Sequence, residues 1–117
     1  MSQLGPGEID VGDFLQVDMR LGTILAAEPF PEARRPAFKL TLDFGPELGT
    51  RRSSAQITDL YDSDSLVGRQ VVAVVNFPPK RIAGFKSDCL VLGVPSEEEA
   101  VILLGPERPA PNGSRVY

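Results

Sequence analysis

The sequence predicts an all-β domain, a small closed Greek-key barrel with short N-terminal and connecting helices. Glycine and proline each occur 11 times among 117 residues, about twice their usual combined share of ~12%, which favours short elements joined by tight turns. Short apolar runs of the kind that form β-strands recur along the chain. The length suits one domain. A closed barrel leaves few strand edges exposed, and an open sandwich is the alternative.

The N-terminal region precedes the first strand. Residues 1–7 contain two glycines and a proline and are predicted to form a flexible leader, so the single domain is placed at residues 8–117. Glu8–Leu15 is predicted to form a short helix with Asp10 as its N-cap. Because its apolar residues do not complete an amphipathic face, this helix is expected to be stable only when it packs on the domain or on a partner chain.

Six segments are predicted to be strands. The clearest alternation places Phe38, Leu40, Leu42 and Phe44 towards the core and Lys39, Thr41 and Asp43 outward. In the first strand Gly22 interrupts the apolar pattern and predicts a β-bulge. The predicted strands are Val17–Ala27, Phe38–Phe44, Thr50–Ile57, Gln70–Phe77, Asp88–Val94 and Val101–Leu104.

The connections complete the predicted architecture. Gly45–Gly49 is a turn, Lys80–Lys86 is a loop, and the tail from Gly105 is extended. Thr58–Val67 offers Ser63 as an N-cap and predicts a short helix or turn between the third and fourth strands. A helix at this position is typical of an oligonucleotide-binding (OB) barrel, so the predicted fold is an all-β OB-fold Greek-key barrel.

Composition excludes several kinds of active site. With no histidine and one cysteine, the chain cannot form a His-based zinc site, a Ser-His-Asp triad or a Cys-His dyad. Cys89 lies in an apolar run and is expected to be a buried, inert thiol. We therefore predict no catalytic residues, no metal and no cofactor, and a small enzyme is a remote alternative.

The termini and apolar runs bear on localisation. The first residues have neither a basic start nor an apolar core of a secretory signal, and no apolar run approaches the ~18 residues of a spanning helix. The sequence predicts a cytoplasmic protein without membrane insertion.

The charges are unevenly distributed although the net charge is -4. The stretch from Ser65 to Ser87 contains no acidic residue. Arg34, Arg35 and Lys39 lie in a second acid-free stretch, and Arg51 and Arg52 form a third. If these segments converge in the fold, they form a basic face suited to phosphate contacts; the alternative is that they scatter over a solvated surface.

Several segments closely resemble the family of CsaA export-related chaperones and its parent family, the tRNA-binding domains appended to some methionyl- and phenylalanyl-tRNA synthetases. The resemblance covers nearly the whole chain after Gly12. Its most specific parts are Asn76–Ser87 and Glu32–Arg34. The matching segments are Val17–Ile24, Phe30–Arg34, Pro36–Leu40, Arg52–Thr58, Leu66–Ser87 and Pro111–Gly113.

This resemblance implies a homodimer of OB barrels that binds unfolded or precursor polypeptides in apolar grooves and is linked to protein export. It implies no catalysis. The parent family implies the alternative, an RNA-binding module with tRNA as its partner. The acidic net charge departs from the basic character of the appended domains, whereas the doubled arginines favour RNA.

Two sets of site residues follow. Each phenylalanine of the first set has an alternative role in the core or in its own loop. The predicted peptide-binding residues are Phe30, Phe77, Ile82 and Phe85. The predicted RNA-binding residues are Arg34, Arg35, Arg51, Arg52, Arg69, Lys80, Arg81 and Lys86.

Overall fold

A computed structural model describes residues 4–117. Five antiparallel strands form one sheet in the order β3-β2-β1-β4-β7, and two small hairpins, β5–β6 and β8–β9, complete the domain. The elements in chain order are α1 (Val11–Gln16), β1 (Met19–Pro29), β2 (Phe38–Asp43), α2 (Gly45–Leu48), β3 (Thr50–Ala55), α3 (Ser63–Leu66), β4 (Gln70–Val74), β5 (Lys80–Ile82), β6 (Phe85–Ser87), β7 (Leu90–Val91), β8 (Gly93–Pro95) and β9 (Val101–Leu103).

The sheet curls until its two edges meet. The backbone N–H of Asp88, just before β7, donates to the carbonyl of Arg52 in β3 at 2.9 Å. The backbone N–H of Arg52 donates to the Asp88 carboxylate at 2.8 Å. A nearly closed five-stranded antiparallel barrel with α3 between β3 and β4 confirms the predicted OB-like fold class and rejects the open sandwich.

The barrel interior is largely apolar, with Ser53 as its buried polar residue among those described. Phe38, Leu40, Leu42 and Phe44 are all buried, as their alternation predicts. They pack with Ile24 and with residues of α3 and β4 in one continuous core. Burial of each large side chain contributes about 1.5–3 kcal/mol, which is the main stabilising contribution in a barrel of this size.

The predicted bulge in β1 is misplaced. The register with β2 shifts between Ile24 and Ala26, two residues beyond Gly22. Gly22 is required for packing instead, because a Cβ atom there would lie 2.6 Å from Cε1 of Phe44. The absence of a side chain at Gly22 makes room for the buried Phe44 ring.

Several predicted connections differ in detail. The Gly45–Gly49 turn contains the helical turn α2, and the Lys80–Lys86 loop is the β5–β6 hairpin. The N-cap of α3 is Asp62 rather than Ser63, because the Asp62 carboxylate accepts a hydrogen bond from the Ser65 N–H at 2.8 Å. Asp and Ser are both favoured at the N-cap position, so the sequence pattern alone did not distinguish Asp62 from Ser63.

The N-terminal region is attached to the barrel through its carbonyl groups. The helix begins after the predicted N-cap, Asp10, but no residue of α1 is buried. The side chains of Asn76 and Arg115 donate to the carbonyls of Gln16 and Leu15 at 2.8 and 2.6 Å. Of the predicted leader, residues 1–3 lie outside the described residues, and Gly5 accepts a turn hydrogen bond from Glu8.

The part of the chain that the structure describes has no helix that is long and apolar enough to cross a membrane.

Candidate ligand-binding groove

The β5–β6 hairpin forms one wall of a groove on the barrel surface. Its turn consists of Ala83 and Gly84, with φ of 48° and 81°. Two successive residues with positive φ match the twist of the flanking strands, which is how a two-residue hairpin closes. The Ser54 N–H of β3 donates to the Ser87 hydroxyl of β6 at 3.1 Å and holds the hairpin against the barrel.

A pair of aromatic rings packs behind the hairpin, and one of them, Phe85, lines the groove. Phe30 and Phe85 pack edge to face, with ring centroids 5.4 Å apart. They are only 3% and 7% exposed and form a second small core with Ala37. Ile82 packs against this cluster. Both rings are therefore packed inside the protein, and neither is an exposed apolar anchor.

Two cationic side chains cover the aromatic pair. Nζ of Lys39 lies 4.7 Å from the Phe30 ring centroid and 5.6 Å from that of Phe85. Cζ of Arg52 lies 4.5 Å from the Phe85 centroid. At these distances the cations are attracted to the negative faces of the rings.

Two separate cavities are lined in part by residues of the β5–β6 hairpin. The first has a volume of about 540 Å³ and is lined by Lys39, Arg52, Ala83, Gly84, Phe85, Lys86 and Asp88. The second has a volume of about 220 Å³ and is lined by Ala33, Arg34, Arg35, Ala37, Ser54, Gln56, Lys80 and Ile82. We call the two cavities together the basic groove.

The basic groove has a strong excess of positive charge. Six of its lining residues are cationic and one, Asp88, is acidic. Within residues 4–117, the ion pairs join Asp18 to Arg20 and Arg115, and Glu107 to Arg108. No cation of the groove takes part in them, so the groove cations are available to an anionic or carbonyl-rich ligand.

The hairpin also carries an unfavourable pair of charges. Arg81 is directly opposite Lys86 in the β5–β6 register, and both are exposed. Like charges at directly opposite positions destabilise a strand pair. An anionic group of a ligand would relieve this repulsion.

The predicted site residues are only partly brought together. Arg34, Arg35, Arg52, Lys80 and Lys86 line the groove. Lys39 also lines the groove. The predicted set of RNA-binding residues omitted it, although strand alternation placed it outward and it belongs to the same acid-free stretch as Arg34 and Arg35.

Five predicted residues are not among the groove-lining residues: Phe30 and Arg81, described above, and three others. The Arg51 guanidinium donates to the Val75 carbonyl at 2.8 Å. This hydrogen bond stabilises the barrel and holds the Arg51 side chain in place. Arg69 lies over the Tyr61 ring at 5.1 Å, beside a separate cavity of about 430 Å³. Phe77 is 50% exposed and is not among the groove-lining residues.

Cys89 is a buried thiol of the barrel core. Its S–H donates weakly to the Arg52 carbonyl at 3.7 Å. Burial, reinforced by the negative charge of Asp88, raises the pKa of the Cys89 thiol from 9.0 to about 12, although Arg51 lowers it slightly. The thiolate that nucleophilic chemistry requires is therefore scarce at neutral pH.

A second surface of the barrel is apolar. Leu90, Val94, Ile102 and Leu104 are each between 39% and 48% exposed. Val94 is paired with Ile102, and the Leu104 N–H donates to the Leu92 carbonyl, so these residues lie on neighbouring extended segments. We call this surface the apolar ribbon. Contiguous exposed apolar surface often marks an interaction site.

Comparison with known proteins identifies the family. The model of the tRNA binding domain family matches residues 19–115. A methionine–tRNA ligase from Rhodopirellula baltica is 39% identical over 110 residues, which cover 94% of this chain and 16% of the ligase. The chain therefore spans about one-sixth of the length of that ligase.

Two solved structures match over almost the entire chain. The chaperone CsaA from Bacillus anthracis str. Ames is 53% identical with a TM-score of 0.88, covering 95% of this chain and 100% of that one. The CsaA chaperone protein from Picrophilus torridus is 43% identical with a TM-score of 0.88, covering 94% and 100%. The chain thus belongs to the tRNA binding domain family and, within it, is a CsaA-like protein.

Proposed function

We propose that this protein is a non-enzymatic molecular chaperone of the CsaA type that binds unfolded or precursor polypeptides in the basic groove and acts in protein export in the cytoplasm. The observation that carries the proposal is the full-length match to two chaperone structures at 53% and 43% identity. A match that covers each of those chains completely leaves no additional domain in them to account for their chaperone designation.

The chemistry of the groove is suited to an extended polypeptide. Arginine and lysine side chains donate hydrogen bonds to backbone carbonyls and carboxylates, which every unfolded chain exposes. Ala33, Ala37 and Ile82 line the second cavity and offer apolar surface for client side chains. Phe77 is half exposed beyond the groove and stays a predicted client contact.

Binding of a fluorescently labelled, permanently unfolded polypeptide tests the proposal. The double change Arg34→Ala with Lys80→Ala removes two exposed cations of the second cavity. Each lost charge-assisted hydrogen bond is worth ~1.5 kcal/mol, so the affinity is expected to fall at least about tenfold. Arg108→Ala, an exposed cation outside the groove, is the matched control.

Two results would contradict the proposal in different ways. If the intact protein fails to bind the unfolded polypeptide, the chaperone function is wrong. If the groove double variant binds as tightly as the Arg108→Ala control, the function stands but the groove is not its site.

We also propose that the protein acts as a homodimer. Ile9, Val11 and Leu15 of the N-terminal region are 69%, 73% and 49% exposed, and the apolar ribbon is exposed as well. A stable interface buries about 800 Å² on each partner, and apolar surface of this kind is what such an interface covers. Pairing would place two grooves on one particle and raise avidity for long clients.

Light scattering at micromolar concentration tests the dimer. Deletion of residues 1–14 and the single change Ile102→Glu disrupt the two apolar surfaces separately, and we expect at least one of them to lower the measured mass towards that of a monomer. An intact protein that is monomeric contradicts the dimer. Two variants that stay fully dimeric place the interface on another surface.

Binding of tRNA is a second candidate function, favoured by the groove cations without ion-pair partners and by the family match. Each neutralised phosphate contributes a log-log salt slope of about -0.7 to -0.9. The change Lys80→Ala with Arg81→Ala is expected to flatten the slope measured with tRNA. A slope of zero in the unaltered protein, or no binding at low salt, would eliminate this candidate.

A further inference from the structure

We propose that the basic groove selects polypeptide segments in which an acidic side chain lies next to an aromatic or large apolar side chain, with Lys39 and Arg52 as a displaceable cover over the aromatic pair. This inference rests on the proposed chaperone function and adds to it the chemical class of client.

The cover is built from two neighbouring strands. Lys39 of β2 is paired with Ser54 of β3, and Arg52 lies two residues before Ser54. Residues two apart in a strand lie on the same face of the sheet. Lys39 and Arg52 therefore extend from one face across the same two rings, and each has a long, flexible side chain.

These two cations have no carboxylate partner within residues 4–117. The ion pairs there involve other residues, and the Asp88 carboxylate in the same cavity accepts the backbone N–H of Arg52. A client carboxylate that enters the first cavity would be the first acid to pair with them. A charge-assisted hydrogen bond competes effectively with a cation–π contact at an exposed site.

Displacement of the cover creates an apolar site next to the bound carboxylate. Phe30 and Phe85 are 3% and 7% exposed with Lys39 and Arg52 above them. When the cations turn towards the client acid, the ring surface they cover becomes accessible to the adjacent client side chain. The groove thus recognises the acid and the apolar neighbour together, while a basic segment is repelled.

The charge of the remaining surface favours a short acidic segment over a large polyanion. Outside the groove lining, the chain has fifteen acidic residues against six arginines and lysines. A nucleic acid that extends beyond the groove meets this negative surface, and repulsion persists over the ~8 Å Debye length at physiological salt. A peptide segment confined to the groove does not meet it.

Four labelled nine-residue peptides test the inference by fluorescence anisotropy with the intact protein. In each peptide two residue types alternate along the chain. The four pairs are glutamate and phenylalanine, glutamine and phenylalanine, lysine and phenylalanine, and glutamate and serine. We expect the first to bind at least about fivefold more tightly than each of the others, as the loss of one ion pair and of one apolar contact predicts. In the double variant Lys39→Gln with Arg52→Gln this preference should disappear, whereas Arg108→Gln should retain it.

The outcomes separate the client class from the chaperone function. Equal binding of the glutamate and glutamine peptides, tighter binding of the lysine peptide, or equal binding of the glutamate–serine peptide overturns the inference while the chaperone function stands. If no peptide and no unfolded polypeptide binds but tRNA does, the proposed function itself fails.

A measurement on the unaltered chain covers the case in which the double variant does not fold. Because Lys39 Nζ and Arg52 Cζ lie over aromatic rings, we expect the methylene protons nearest to them to have ring-current-shifted NMR signals. Saturation with the glutamate–phenylalanine peptide should move these signals towards their ordinary positions. Signals that stay unchanged at saturation overturn the displaceable cover.

Discussion

Replacement of Phe85 by alanine tests whether the aromatic pair is part of the folded core. Phe85 is 7% exposed, packs edge to face on Phe30 at 5.4 Å, and has Arg52 over its ring at 4.5 Å. Burial of the ring contributes about 1.5–3 kcal/mol, and the aromatic pair adds ~0.5–1.5 kcal/mol. The cluster has three buried residues at the barrel surface, where neighbours can collapse into the space.

We therefore expect Phe85→Ala to lower the free energy of unfolding by about 3 kcal/mol, the low end of the range for a Phe→Ala change. Urea unfolding followed by circular dichroism measures this difference. Phe77→Ala is the matched control because Phe77 is 50% exposed, and its cost should stay under about 1 kcal/mol. A Phe85→Ala cost that is no larger than the Phe77→Ala cost would refute the assignment of the ring to the core.

Three further predictions concern positions that the fold constrains. Because the Cys89 pKa is raised to about 12, the unfolded chain loses its thiol proton near pH 9 while the folded chain keeps it. Between pH 9 and pH 12 the free energy of unfolding should therefore fall by ~1.4 kcal/mol per pH unit relative to that of Cys89→Ala. If urea unfolding shows the same pH dependence for both proteins in this range, the raised pKa of Cys89 is contradicted. Ala83→Asn should raise the free energy of unfolding by about 0.5–1 kcal/mol, because asparagine tolerates positive φ better than alanine. A melting temperature that does not rise would argue against strain in this turn. Gly22→Ala should cost about 1–3 kcal/mol, since the new methyl group would overlap the Phe44 ring, and a neutral effect in the same melt would show that the ring moves freely.

Local pattern was sufficient for most of the barrel. The alternation of Phe38, Leu40, Leu42 and Phe44 predicted four buried side chains because successive residues of a strand point to opposite faces. The same rule placed Lys39 outward, which is where the structure has it. The fold class followed from such segments together with the resemblance, whose motifs span almost the whole chain.

The different roles of two neighbouring arginines depended on where distant segments meet. Arg51 and Arg52 are adjacent and looked equivalent, yet Arg51 donates to the Val75 carbonyl and Arg52 covers Phe85. Alternation predicts that neighbours face opposite ways, but it does not say which of them meets the groove.

What the sequence determined by itself is therefore the first four strands of the barrel, the inward face of the clearest one and the absence of histidine chemistry. The sequence did not predict the β5–β6 hairpin or the division of Asp88–Val94 into β7 and β8. Only the tertiary structure decided that Phe30 and Phe85 are covered while Phe77 is half exposed, and that an acidic chain has a groove with six cations and one acid. The physical reason is that burial and local charge are properties of three-dimensional neighbourhoods. The residues that form this groove come from the β1–β2 loop, β2, β3 and the β5–β6 hairpin, which meet only when the barrel closes.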